Sequence, residues 1–389
     1  MDFVVLGAGM MGRAVVYDLA RARDVRRVIV ADFDLGRARE VARKFGRGKA
    51  RAAFADVRET GKLGRLLRGV TAVVNCTQYN WNLEVMKAAL VARVNYLDLG
   101  GLYHMTRRQF LMDADFRRIG KIAIAGMGGA PGTTNIMARH LCDRMERVDS
   151  IVVYNASTDL RSYDSPIAYT FSIATILDEL TLLPVAFRGG RFVERPMLSD
   201  PVVGRFPAPI GTVTLRNSIH SELGTLPISF RGKGVKDVYF KINYPPELVE
   251  LVRNLADVGF TSRELVGVNG ARVAPRDVLL ALLNRNAPKK AARDVETIRV
   301  VVKGRRGGRR VAASAESTAK YTVSPAFSAV ARDTGFPAAI GALMLGRGQY
   351  SGIGVQAPEN VVPPEAFFKE LAARRMPVRV KTVSAGLKT

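Results

Sequence analysis

The chain has 389 residues, 48% of them hydrophobic, which at ~150 residues per unit calls for two or three units rather than one core. No apolar run reaches the ~18 residues of a membrane span, and the chain enters a strand at its second residue with no basic leader, so a cytoplasmic location and no membrane partner are expected. The balance of 59 basic against 35 acidic residues leaves +24, but the arginines are scattered through most helices and loops. A solvated basic surface, not a nucleic-acid partner, is the expected meaning, and the one dense run, Lys303 to Arg310, reads as a hairpin tip. Cys76 and Cys142 make no disulfide framework, and few cysteines, one Trp and many arginines suit a thermophile.

Asp2 to Leu6 reads as a buried strand that runs into Gly7-Ala-Gly9-Met10-Met11-Gly12 and then a helix. A second apolar strand, Val28 to Ala31, ends at Asp32, twenty positions beyond Gly12, completing a dinucleotide fingerprint. Gly7 permits the tight turn, Gly9 the approach of a pyrophosphate, and Gly12 close packing of helix on strand. Further strands are expected at Ala53 to Asp56, Thr71 to Thr77, Asn95 to Gly100 and Lys121 to Gly126, separated by helices that include Leu35 to Phe45, Trp81 to Ala92 and Thr106 to Ile119. The alternation predicts an α/β fold with a doubly wound parallel Rossmann sheet.

Ligands of such sheets lie beyond the carboxyl ends of the strands. Asp32 there favours NAD by accepting from ribose hydroxyls, while Arg37 is placed to pair with a 2′-phosphate and keeps NADP open. Cys76, Thr77 and Asn80 follow the fourth strand as a polar cluster for the second ribose, or as a plain capping loop before Trp81.

From Val148 the pattern turns to long strands and hairpins, which places a boundary near residue 130. Strands are expected at Asp149 to Ala156, Thr212 to Leu215, Thr225 to Phe230, Asp237 to Ile242, Glu296 to Lys303 and Arg309 to Ala319. Turns are expected at Arg188 to Arg191 and at Asn269-Gly270, and helices at Tyr169 to Leu182, Pro246 to Val258 and Arg276 to Leu283. This predicts a second α+β domain with an open, mainly antiparallel sheet. After Ser324 two helical runs, the second starting at Phe336-Pro337, precede a glycine-rich break at Gly346 to Gly354 and a last helix, Pro363 to Arg374. No metal-ligand spacing is present.

Several stretches carry a resemblance: Tyr96-Leu97-Asp98-Leu99-Gly100-Gly101, Gly129-Ala-Pro-Gly-Thr-Thr-Asn135, Arg332-Asp-Thr-Gly-Phe-Pro-Ala-Ala339 and Phe367-Phe-Lys-Glu-Leu371. With the N-terminal fingerprint, the chain resembles the saccharopine dehydrogenase-like reductases, nearest the lysine 6-dehydrogenase branch. The resemblance implies NAD(P)-dependent oxidation of a carbon–nitrogen bond, in a homodimer, at a cleft between two domains. These would be residues 1–130 with 324–389, discontinuous, and residues 131–323 for substrate and dimerisation. Asp98 and Gly100 would sit by the nicotinamide, with Asp98 as proton-transfer group or, alternatively, a cap that orders the Gly100-Gly101 turn. From residue type alone, Tyr103 and Tyr169 are candidates to line the cleft, with core or rim packing as the alternative, and His220 is a candidate acid–base group or a structural histidine. In the stretch His220-Ser-Glu-Leu-Gly-Thr-Leu-Pro227 the branch's glycine-rich middle is replaced, so Glu222, with Thr225 in the same loop, is a candidate to prefer a distal amine or guanidinium, an ordinary surface glutamate being the alternative. The expected activity is oxidative deamination of a primary amine or amino acid. A saccharopine-type reductase acting on a secondary amine is the alternative, and a non-catalytic cofactor-binding protein with a nucleic-acid surface is the reading from another class.

Overall fold

The computed structural model describes residues 1–163, 169, 171–287 and 292–384. Runs such as Phe3 to Leu6, apolar without alternation, suit strands covered on both faces, and they form a seven-stranded parallel sheet. In chain order its first elements are β1 (Asp2–Leu6), α1 (Met10–Arg21), β2 (Arg27–Asp32), α2 (Leu35–Phe45), β3 (Ala50–Phe54), α3 (Thr60–Leu66), β4 (Ala72–Asn75), α4 (Asn82–Ala92), β5 (Asn95–Asp98), α5 (Leu102–Phe110), α6 (Asp113–Arg118) and β6 (Ile122–Ile124). The order β3-β2-β1-β4-β5-β6 reverses direction at β1 and β4, where a doubly wound sheet opens its crevice.

The chain continues through α7 (Thr133–Cys142), β7 (Arg147–Asp159), α8 (Ile173–Thr181), β8 (Val185–Arg188), β9 (Arg191–Glu194), β10 (Val202–Arg205), β11 (Thr212–Asn217), α9 (Leu226–Ser229), β12 (Asp237–Ile242), α10 (Pro246–Asp257), β13 (Val266–Val268), β14 (Ala271–Val273), α11 (Pro275–Arg285), β15 (Asp294–Arg306) and β16 (Arg309–Lys320). After these come β17 (Thr322–Val323), β18 (Ala326–Phe327), α12 (Ala329–Gly346), β19 (Gly354–Gln356), α13 (Pro358–Val361), α14 (Pro364–Ala373) and β20 (Arg379–Ser384). The second sheet runs β10-β11-β12-β7-β15-β16-β20, with β8 and β9 branching from β12. Among the described residues of this second sheet only β12 and β7 pair in parallel. Met137 and Leu141 of α7 pack into its core with Ile151, Val153, Ile298 and Val300.

The expected fold class is observed, with local corrections. Thr225 to Phe230 is not a strand but the one-turn helix α9, because Pro227 has no N–H for a ladder yet fits a first helical turn. Helix α8 starts at Ile173, where the Ser172 hydroxyl accepts from the Thr175 amide at 3.4 Å. Tyr169 lies before it, and Thr170 is outside the described residues. The single helix expected over Thr106 to Ile119 is broken: Asp113, opening α6, accepts from the Val355 amide at 2.8 Å and so fastens the break to β19. Helix α12 runs through Pro337 without stopping. The proline leaves the Asp333 carbonyl without its helical donor, but burial of nearly the whole helix against Phe3, Val5 and the α1 side chains holds it straight through. The strands β19 and β20 were not expected. β20 pairs with β16, so the end of the stretch assigned to the first domain, 324–389, belongs to the second sheet.

No helix among the described residues is long and apolar enough to cross a membrane.

Candidate active site

Gly7 holds φ at +90°, and its amide donates to the Ala31 carbonyl at 2.8 Å, folding the turn against β2. A Cβ on Gly12 would lie 1.8 Å from the Gly7 carbonyl oxygen, so only glycine lets α1 approach this closely. A Cβ on Gly9 would meet nothing within 4 Å. Gly9 caps α1 without a side-chain bond, so the first amides of the helix face open space, the arrangement that receives a pyrophosphate. Asp32, 6% exposed, accepts from the Ala8 amide at 2.6 Å and the Asp34 amide at 2.9 Å, fastening the turn to the end of β2. Beside it Arg13 and Arg37 flank a small hollow with Glu40. Arg13 Nε is buried without a partner, and burial pushes that guanidinium's pKa down. A glycine cradle open at Gly9, free helix amides and the unpartnered Nε of Arg13 fit a nicotinamide dinucleotide.

The cradle forms one wall of a cleft of ≈ 1560 Å³, to which Gly9, Met10, Met11, Cys76, Thr77 and Gly100 contribute. Asp98 stands behind that wall, 1% exposed. Its carboxylate accepts from the amides of Gly100 at 2.9 Å and Gly126 at 2.7 Å, from the Tyr96 hydroxyl at 2.8 Å and from Gln109 Nε2. Burial still pushes its pKa up, against these four hydrogen bonds. The group ties the end of β5 to the turn after β6, the capping role that was its alternative reading, and is not among the residues that line the cleft.

The opposite wall comes from the second sheet. His220 stacks flat on Phe240 at 3.7 Å, and Glu222 holds its Nδ1. Glu222 itself is fully buried, with its other oxygen accepting from Thr134 Oγ1 at 2.7 Å. Ser221 Oγ accepts from the Gly101 amide at 3.0 Å and binds this loop to the end of β5. Burial opposes charge on His220, yet the Glu222 carboxylate, with Glu179 beyond, carries its pKa above the ordinary value. Glu179 of α8 accepts from the Tyr244 hydroxyl, and burial pushes its pKa up to about 7 in spite of His220 and Tyr244. Deeper in, Glu296 of β15 accepts from Asn155 Nδ2 at 2.9 Å through one oxygen only. Asp294 caps α12 through the amides of Ala329 at 2.6 Å and Val330 at 3.3 Å, and Asp333 lies buried nearby. Burial raises the pKa values of all three carboxyls.

Of the residues expected at the site, Gly9, Met10, Met11, Arg37, Cys76, Thr77, Gly100, Tyr169 and His220 do come together at the cleft. Gly7, Gly12 and Asp32 shape the cradle from behind it. Asp98, Asn80, Tyr103, Glu222 and Thr225 do not reach the cleft wall. Asn80 is exposed beyond β4, and Tyr103 packs on Phe192 with ring centroids 5.7 Å apart. Thr225 Oγ1 accepts from Asn135 at 3.1 Å, and Glu222 orients His220 rather than a substrate. Glu179, Tyr244, Glu296 and Asp333 were missed. Glu179 had a legible signal, since it shares the buried face of α8 with Ile176 and Leu180, where a carboxylate needs a reason.

Known proteins share this architecture. Residues 3–124 match the saccharopine dehydrogenase NADP binding domain, and residues 128–376 match the saccharopine dehydrogenase C-terminal domain. A carboxyaminopropylagmatine dehydrogenase of Synechocystis is 24% identical over 96% of each chain. A carboxynorspermidine synthase of Vibrio cholerae is 22% identical over 93% of each. Among solved structures, saccharopine dehydrogenase (L-Glu forming) of Saccharomyces cerevisiae superposes with a TM-score of 0.75 at 17% identity, covering 98% of this chain and 99% of that one. With both its cofactor-binding and its C-terminal halves matched, the chain belongs to the saccharopine dehydrogenase family of NAD(P)-dependent oxidoreductases.

Proposed function

We propose that the protein makes or breaks a secondary amine that joins a carboxylate-bearing fragment to a cationic amine or guanidine. The observation that carries this reading is the charge of the cleft. A chain of net +24 gathers Glu179, Glu296, Asp294 and Asp333 on the lining of this cleft, which Arg37, Arg161, Arg216 and Arg253 share and where they are available for a carboxylate. The names of the Synechocystis and Vibrio relatives, a carboxyaminopropyl agmatine and a carboxynorspermidine, describe substances of that kind.

When bound, the nicotinamide supplies or accepts a hydride. Glu179 takes a proton from the substrate ammonium, because only a neutral nitrogen can push electrons into a C=N bond. Loss of a hydride from carbon and a proton from nitrogen gives the imine. Water then adds to it, and the C–N bond breaks to leave a carbonyl compound and a primary amine. His220, with Nδ1 fixed by Glu222, serves the proton transfers of the water step. The reverse sequence condenses amine and carbonyl. The test is oxidation of reduced cofactor with aspartate 4-semialdehyde and a panel of agmatine, 1,3-diaminopropane and glutamate, beside oxidation of lysine and saccharopine. Activity with agmatine or the diamine is expected. Turnover of lysine alone would instead establish lysine 6-dehydrogenase activity, the primary-amine reading. A dimer is carried in the same proposal on the family resemblance, and sedimentation reads it.

For the cofactor, Arg13 and Arg37 beside the hollow support a 2′-phosphate and hence NADP. Replacing both with alanine is expected to weaken NADPH binding about tenfold or more, the worth of a charge-assisted hydrogen bond, and to leave NADH binding unchanged. Cofactor fluorescence reads the difference.

A further inference from the structure

Two buried carboxylates in this protein are each answered by arginine. Asp178, 2% exposed, accepts from Arg276 at 2.7 Å, Arg263 at 3.1 Å and the Tyr79 hydroxyl at 2.6 Å. Asp18 of α1 receives Arg374 at 2.8 Å. Glu296 is treated differently. It is 7% exposed and sits on β15 where that strand pairs with β7 opposite Ser157, with Oε1 held by Asn155, while Oε2 is buried and has no hydrogen-bond partner among the described residues. The same cleft wall holds Asp294, Asp333 and Glu179, and the nearest acceptors and donors around Glu296 bring no cation to it.

An ionised carboxylate left this way would be strongly disfavoured, so the group either stays protonated or waits for a positive charge. A ligand cation is the partner that removes both the desolvation penalty and the missing hydrogen bond.

We propose that Glu296 Oε2, set among Asp294, Asp333 and Glu179, seats a distal ammonium or guanidinium group of the substrate, remote from the nitrogen that reacts. The inference rests on the amine chemistry above and adds the recognition element: Glu296 selects substrates with a second positive charge. Asn155 is its positioning residue, holding Oε1 at 2.9 Å and leaving Oε2 for the cation. The raised pKa values of Glu296 and Asp333 add a second signature. A cation arriving there draws a proton off, with Glu179, Tyr244 and Asp294 as the other titratable groups facing Glu296 and Arg332 as the charge facing Asp333.

Calorimetric titration of the NADP-loaded protein with 1,4-diaminobutane and with n-butylamine tests it directly, because the two differ in the distal charge. Wild type is expected to bind the diamine at least about tenfold more tightly, and Glu296→Gln to erase that preference while its binding of n-butylamine and its melting temperature hold. Agmatine run alongside separates guanidinium from ammonium. Retention of the preference by Glu296→Gln overturns the assignment. Should that variant not fold, wild type still decides, since equal affinity for the two amines, or no proton release on diamine binding in buffers of different ionisation heat, overturns it equally. A diamine preference without any cofactor oxidation in the semialdehyde assay would leave this seat standing and remove the proposed reaction instead.

Discussion

Replacing Glu179 by glutamine is expected to lower the turnover of amine oxidation by about 10²–10⁴-fold, the usual worth of a positioned proton-transfer group. Binding of the reduced cofactor, whose cradle lies on the other wall, is expected to hold. The pH profile carries the more specific signature. With its carboxyl at about 7, wild-type oxidation rises as pH passes that value, because only the ionised form accepts the ammonium proton. The reductive direction, which needs the protonated form, falls over the same range. The glutamine variant loses both limbs, and a profile with the ascending limb intact would move the base to another residue. Stability is expected to move the opposite way. Between the ordinary value of 4.5 and about 7 the folded protein holds a proton on Glu179 that the unfolded chain has lost, so wild-type stability falls as pH rises through this interval. Removing the carboxylate recovers that loss, on the order of 3 kcal/mol above pH 7, and urea unfolding at pH 5 and pH 8 measures it. The site therefore trades stability for a usable base.

Two alanine substitutions in the glycine turn are expected to fail for different reasons. In Gly12→Ala the new methyl falls 1.8 Å from the Gly7 carbonyl oxygen, and backbone cannot retreat cheaply. We expect a destabilisation of at least about 1–3 kcal/mol, the range for overpacking, with loss of cofactor binding. In Gly9→Ala the methyl meets no protein atom within 4 Å, so the fold and melting temperature should hold. Cofactor affinity should still drop by about tenfold or more, since the methyl occupies the approach of the pyrophosphate. Thermal melts and fluorescence titration on the same samples separate the two. Full affinity in Gly9→Ala would show that the phosphates do not pass over this residue.

The parallel sheet was legible because its signals are local: a glycine turn, apolar strands and an acid at fixed spacing. The acid's role was less so. Asp32 and Asp98 both end strands, and the sequence does not say whether a carboxylate turns outward to a ligand or inward to backbone amides. Both turn inward here. His220 was recognisable by residue type, whereas its neighbour Glu222 was assigned to substrate and proves to be buried behind the ring. The acid wall was illegible for another reason. Glu179, Glu296 and Asp333 lie on a helix, a strand and a second helix far apart in the chain, and only the packing of α12 between the two sheets brings them to one cavity. Strand β20 carries only Val380 and Val383 as apolar residues, three apart and so without a period of two, and its partner β16 is remote in sequence, so nothing local announces the return.

That return has a mechanical consequence. The chain passes between the two sheets three times, through α7, from β16 to α12, and from α14 to β20. Two bodies joined by one strand can swivel freely, and two joined by a pair can hinge about the line between the joints. Three separated joints leave little rigid rotation of either kind. Admission of substrate must then fall to the parts not so anchored, the loops and short helices around the mouth, while the distance between glycine turn and acid wall stays set by the covalent path of the chain.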